Sequence, residues 1–205
     1  MRCVNCGAFS LRTICAACAA NLAECRLGMR QVEGFSVFYY YGYSEIRELI
    51  LSKHHEYGAA VLARIASLSL AKFPLHLQCE ISANPQNYEA FKTGGVFKFN
   101  AVPLDDDARS GYSHTAILAR ALKSELIEPK FHCLRAQNRV KYTGQSLEFR
   151  LKHKRNFKIL TPPQFPVILV DDIITSGLSM LQARESLMRG GFTPVCGLVL
   201  ANAKE

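Results

Sequence analysis

Residues 167–179 read Val-Ile-Leu-Val-Asp-Asp-Ile-Ile-Thr-Ser-Gly-Leu-Ser, and this run constrains the fold more than any other part of the chain. An uninterrupted apolar stretch predicts a strand over 166–171 that is buried on both faces, because a half-exposed strand would alternate apolar and polar. A hydroxyl- and glycine-containing turn follows, then a predicted helix over 178–189 and a second apolar strand over 195–201. Strand, helix and strand with continuous apolar strands imply a parallel sheet covered by helices, and hence an α/β fold.

Earlier segments fit that alternation. Residues 35–41 (FSVFYYY) are aromatic and β-prone and predict a strand ended by Gly42. Ser44 is a candidate cap for a helix running to Lys53, with Ile46, Leu49 and Ile50 at helical spacing. A loop at His54-His55-Glu56 precedes a predicted helix over 57–73. Residues 19–30 read as a short helix or connector, 96–102 as a strand, 113–126 as an amphipathic helix and 131–134 as a short strand. Residues 145–155 read as a basic helix, and 161–166, with three prolines, as a linker. Residues 75–95 carry no clear period.

At 205 residues, 49% hydrophobic and 20% charged, the chain has the balance of one globular domain with at most a small appendage, not of a disordered protein. The most apolar stretch, 59–73, is broken by Arg64 and Lys72, so no membrane-spanning helix is expected. Cysteines and arginine occupy the place of a signal peptide's apolar core. A cytoplasmic protein is expected, with peripheral attachment at the inner face of the membrane left open.

The first 18 residues hold Cys3, Cys6, Cys15 and Cys18 in the pattern C-x2-C-x8-C-x2-C. Each C-x2-C turn aims two thiolates at one centre, and two turns complete a tetrahedral structural zinc site. Disulfides or a redox pair are the competing readings, the first disfavoured without an export signal. Residues 1–30 are therefore taken as a zinc module with its connector, and 31–205 as the main domain. Cys25, Cys79, Cys133 and Cys196 read as small buried hydrophobes.

The net charge is +8, and it is concentrated. Residues 130–158 carry nine basic side chains (Lys130, Arg135, Arg139, Lys141, Arg150, Lys152, Lys154, Arg155 and Lys158) against Glu148 alone, so the rest of the chain is neutral. A local basic stretch suggests an anionic partner, nucleic acid or polyphosphate; a solvated helix face is the alternative. Arg139, Lys141, Arg150, Lys152, Lys154, Arg155 and Lys158 are the candidate DNA-binding residues.

The chemistry is concentrated at 171–179. Asp171 and Asp172 stand at the carboxyl end of a strand, where open α/β sheets bind ligands. Thr175, Ser176 and Ser179 supply hydroxyls, Gly177 permits close backbone approach, and a helix N-terminus adds N–H groups for an anion. Acids for sugar hydroxyls beside a cradle for phosphate describe a ribose-5-phosphate pocket; a metal site or a capped turn is the competing reading.

Position by position, 167–179 resembles the phosphoribosyl pyrophosphate (PRPP) loop of type I phosphoribosyltransferases, with Ser179 where threonine is common. With the four-cysteine module ahead of it, the chain is similar to the ComF family of bacterial competence proteins. Residues 43–53 with Gly58, 101–104 and 139–156 resemble further segments of that family. The family's Arg-Gly-Phe-Asn-Gln is replaced here by Ser110-Gly111-Tyr112-Ser113-His114, with an arginine at Arg109.

The resemblance implies a type I phosphoribosyltransferase-like parallel sheet flanked by helices. It also implies PRPP binding, accompanied by Mg²⁺, through Asp171, Asp172, Ile173, Ile174, Thr175, Ser176, Gly177, Leu178 and Ser179, with Lys53 near the pyrophosphate. A surface lysine ending a helix is the other reading of Lys53. Two functions follow. One is a competence protein in natural transformation that binds single-stranded DNA and PRPP or a related phosphosugar, together with other DNA-processing proteins. The other is an active phosphoribosyltransferase with an unidentified nitrogen acceptor, for which Asp171, Asp172 and Lys53 are the catalytic candidates.

Overall fold

The computed structural model describes residues 2–104, 111–138 and 155–204. Its centre is a six-stranded sheet built from β1 (Gly28–Val32), β2 (Phe35–Gly42), β5 (Phe99–Pro103), β6 (Ile127–Pro129), β9 (Val167–Ile174) and β10 (Pro194–Asn202). The strand order is β1-β2-β10-β9-β5-β6, with β1 antiparallel to β2 and every other pair parallel. The protein is thus α/β with a mostly parallel sheet.

Both faces of the central strands are covered, which is why their sequences are continuously apolar. Ile168 and Val170 of β9, with Leu198 and Leu200 of β10, face the larger core. They meet there side chains of α2 (Tyr43–Leu51), α3 (Gly58–Leu68), α4 (Phe73–Ala83) and α5 (His114–Arg120). Val167, Leu169 and Val199 face the smaller core under Met180, Ala183 and Leu187 of α6 (Leu178–Arg189). Val167, Ile168, Leu169 and Val170 are each 0% exposed, worth about 1.5–3 kcal/mol per side chain removed from water.

The N-terminal helix α1 (Ala16–Ala23) joins the larger core through Cys18, Ala19 and Leu22, and Ile14 is buried with them. The cysteine segment therefore has no separate core. The boundary expected at residue 30 falls inside β1, a strand in what reads as a connector. Val32 of that strand is buried under the smaller core.

Other elements differ locally from the sequence expectations. Gly42, not Ser44, precedes α2, and its N–H donates to Glu45 Oε2 at 2.9 Å. Residues 75–95 complete α4, make two short 3-10 turns and begin the hairpin of β3 (Lys92–Thr93) and β4 (Val96–Phe97). Helix α5 begins on its Ser113 cap but stops at Arg120, and the chain then forms β6. The strand expected at 131–134 lies instead at β7 (Leu134–Ala136), paired with β8 (Phe157–Ile159). The proline-rich linker is fixed by buried Asn100, whose Oδ1 accepts the N–H groups of Gln164 and Phe165 at 2.8 and 3.0 Å.

Residues 58–83 form one helical run long and apolar enough, by length and composition alone, to cross a membrane. Its Val61, Leu62, Ile65 and Leu70 are 0% exposed within the fold, as in a core helix. Asp105, Asp106, Asp107, Arg109 and residues 145–154 of the expected basic helix lie outside the described residues.

Candidate functional sites

The four N-terminal cysteines converge as their spacing predicts. All their sulfurs lie within 4.8 Å of one another, and Cys6 Sγ and Cys15 Sγ are 3.7 Å apart. A tetrahedral ion with Zn–S bonds of about 2.3 Å would hold its sulfurs about 3.8 Å apart, whereas a disulfide needs about 2.05 Å. All eight cysteines are free thiols.

Local structure aims the sulfurs. In the first turn, Gly7 adopts φ +73° and its N–H donates to Cys3 O at 2.9 Å, folding Cys3 and Cys6 toward one point. In the second, Cys15 is the N-cap of α1 and Cys18 lies in its first turn. Burial opposes ionisation of Cys3, but N–H groups of Cys15, Cys6 and Asn5 outweigh it and lower the thiol to about 6. A hydrogen bond with Asn5 favours ionisation of Cys18, yet burial and the neighbouring thiols push it up to about 12. A divalent cation is what lets four such thiolates coexist, so the cluster fits a metal such as zinc.

The second site lies where the sheet's connections change direction. Strand β5 is followed by α5 on one face, and β9 by α6 on the other. The carboxyl ends of these adjacent strands flank a switch-point crevice. Both acids lie within β9, which continues to Ile174; Asp172 is buried, Asp171 is half-buried, and Asp171 Oδ1 accepts the Asp172 N–H at 2.9 Å.

Lys53 arrives from the 3-10 turn after α2, and its Nζ donates to Asp172 Oδ2. Its backbone is held by Tyr112, whose hydroxyl donates to the Lys53 carbonyl at 2.9 Å. Gly58 makes room for that contact, since a Cβ there would lie 2.1 Å from Ser52 O and 2.3 Å from the Tyr112 hydroxyl.

Charge divides the acid pair. Burial and the adjacent Asp172 carboxylate push Asp171 up to about 8, with Arg155 opposing. Burial would also raise Asp172, but the Lys53 ammonium and His114 outweigh it and hold this carboxyl below the usual range. Lys53 is raised in turn, because Asp172 outweighs the cost of burying the ammonium. The crevice therefore holds one ion-paired carboxylate beside a carboxyl that resists ionisation.

Beyond Asp172 the turn reaches α6 through Gly177 at φ +84°. A Cβ on Gly177 would meet Val32 Cγ1 at 2.6 Å, so glycine is needed here for packing against β1 as well as for its dihedral. Thr175 is exposed, Ser176, Leu178 and Ser179 are half-buried, and Ile174 is buried. Arg30 Nη1 donates to Thr175 O at 2.7 Å and to Asn202 Oδ1 at 3.1 Å, tying the turn to β1 and β10.

Of the basic residues assigned to DNA, Arg139, Lys141, Arg150, Lys152 and Lys154 lie outside the described residues. Lys158 is exposed on β8. Arg155 is half-buried, its N–H donates to Gln182 Oε1 at 2.9 Å, and its charge acts on Asp171. His54 and His55 are exposed, and His55 stacks on Tyr57 with ring centroids 5.2 Å apart.

Sequence reasoning missed Arg30, Tyr112 and His114. His114 opens α5 and brings a ring nitrogen within 4.8 Å of the ligand oxygens of Asp171 and Asp172. Its local signals were its place just after the Ser113 cap and its position in the segment 110–114. No protein-family model matches this chain, and no curated protein matches it either.

Proposed function

We propose that the protein binds PRPP or a related phosphosugar in the crevice at Asp171–Ser179 and single-stranded DNA through its basic segment, as a ComF-type competence protein of the cytoplasm. One observation carries the phosphosugar part. Lys53 meets Asp172 of the Asp171–Asp172 pair, just ahead of the hydroxyl-rich turn that follows β9, from a position far away in sequence. Sugar hydroxyls would donate to the acids, the 5′-phosphate would accept from the turn and the α6 N-terminus, and Lys53 would stand beside pyrophosphate. On this proposal the main domain is a type I phosphoribosyltransferase fold, and Mg²⁺ accompanies PRPP to neutralise its phosphates. The DNA part rests on the +8 carried by residues 130–158 and on the family resemblance.

A second reading is favoured by the same crevice: an active transferase. A substrate nitrogen would attack the ribose C1, the C1–O bond would break with its electron pair leaving on pyrophosphate, and the nitrogen would lose its proton to solvent. This chain's side chains would orient the sugar and balance charge without a protein nucleophile. Asp171→Asn would then abolish release of pyrophosphate.

Anisotropy of labelled single-stranded DNA, titrated at two salt concentrations with and without Mg²⁺–PRPP, tests the proposal. Salt-sensitive binding is expected. Replacing Lys152 and Lys154 by alanine should lower the log–log salt slope by about 1.4, or about 0.7 per lost phosphate contact. An unchanged slope refutes the DNA assignment, and the absence of any PRPP effect on melting temperature refutes the phosphosugar pocket.

A further inference from the structure

We propose that His114, Asp171 and Asp172 form a second metal site, one that takes a divalent transition ion of the Mn²⁺, Fe²⁺ or Co²⁺ class directly on protein ligands. The three side chains come from two elements, the start of α5 and the end of β9, and their ligand atoms lie within 4.8 Å of one another. Around an ion with bonds of about 2.1 Å, adjacent donors sit about 3.0 Å apart and opposite donors about 4.2 Å, so small side-chain rotations close the shell.

The crevice gives the ion a route. His114 and Asp171 are half-buried, which leaves them reachable from solvent, while buried Asp172 forms the floor. Lys53 engages Asp172 through Oδ2. Two carboxylates alone would suit Mg²⁺ or Ca²⁺. An imidazole nitrogen added to them shifts preference toward ions that accept nitrogen, Zn²⁺ among them, whereas four thiolates favour softer ions. The two sites therefore differ in ligand chemistry, thiolate at one and carboxylate–imidazole at the other.

This inference concerns the crevice of the proposed phosphosugar pocket but stands on protein ligands alone, so its test omits any phosphosugar. Protein with its cysteine site filled by zinc is titrated with Mn²⁺, and free Mn²⁺ is read by electron paramagnetic resonance. One bound Mn²⁺ per chain is expected, with a ¹⁴N coupling from the imidazole in the electron spin echo modulation. His114→Gln should remove that coupling and weaken binding about tenfold or more, with circular dichroism confirming the fold.

No binding at millimolar Mn²⁺ overturns the site. So does bound Mn²⁺ without nitrogen coupling in the unaltered protein, an outcome that needs no variant to fold. A PRPP-induced melting shift in Mg²⁺ is measured separately, so loss of one proposal leaves the other standing.

Discussion

The contact between Lys53 and Asp172 joins α2 to the end of β9, and replacing Lys53 by methionine tests it most directly. The methionine keeps the length and apolar stem of the lysine but removes its charge. The two side chains are only 20% and 9% exposed, so Asp172 would be left as a buried carboxylate beside Asp171. Removing one partner of a buried pair costs about 3–5 kcal/mol, and because Lys53 keeps some contact with water we expect somewhat less, about 2–3 kcal/mol. In urea this moves the unfolding midpoint down by about 1 M at an m-value of about 2–3 kcal/mol/M. Adding Asp172→Asn should recover part of the loss, because the buried charge is then gone, and the cycle should show coupling of about 1.5 kcal/mol or more.

The same variant carries a pH signature. Asp172 titrates below its unfolded value in the fold, so its stabilising contribution is complete above about pH 4 and disappears as pH falls through the lowered pKa. The unaltered protein should therefore lose more stability on acidification than Lys53→Met does. Equal midpoints, or a double variant whose cost is the simple sum of the two singles, would refute the ion pair as a structural link.

Metal analysis should find one zinc per chain, and stripping it should lower a single melting transition of the whole protein, because Ile14, Cys18, Ala19 and Leu22 share the sheet's larger core. Two separate transitions in calorimetry would show instead an independent module. Gly177→Ala should cost about 2 kcal/mol in urea unfolding, from its φ of +84° and a Cβ 2.6 Å from Val32 Cγ1. Val32→Ala should recover part of that loss, and an unmoved midpoint would contradict the packing described at the turn.

Several features were legible because their signals are local. The apolar run at 167–170, the helix over 178–189 and the final strand report burial on both faces of a sheet, and each is found where expected. The paired C-x2-C turns also announce their convergence, since ligand spacing within a turn is set by backbone geometry. Strand β1 was hidden because an edge strand buries little: Gly28 and Arg30 are only half-buried, Val32 alone is buried, and the run Gly-Met-Arg-Gln-Val has no clear alternation. The end of β9 was misplaced for a different reason. Aspartate normally ends a strand, but here Lys53 and the neighbouring strand β10 hold Asp171 and Asp172 inside the ladder.

The sequence by itself determined the α/β class, the four-sulfur cluster and a hydroxyl-rich turn after two acids, because periodicity and short-range spacing specify these within a few residues. Tertiary structure alone decided what faces those acids. Lys53, His114, Tyr112 and Arg30 reach the crevice or its supporting turn from separate elements, with Lys53 and Asp172 119 positions apart in sequence. Their meeting follows from strand order: β5 and β9 are neighbours whose helices lie on opposite faces, which opens the crevice between their carboxyl ends. No local pattern encodes that adjacency. It follows from burying both faces of one sheet at once, and the divided charge of Asp171 and Asp172 follows from it in turn.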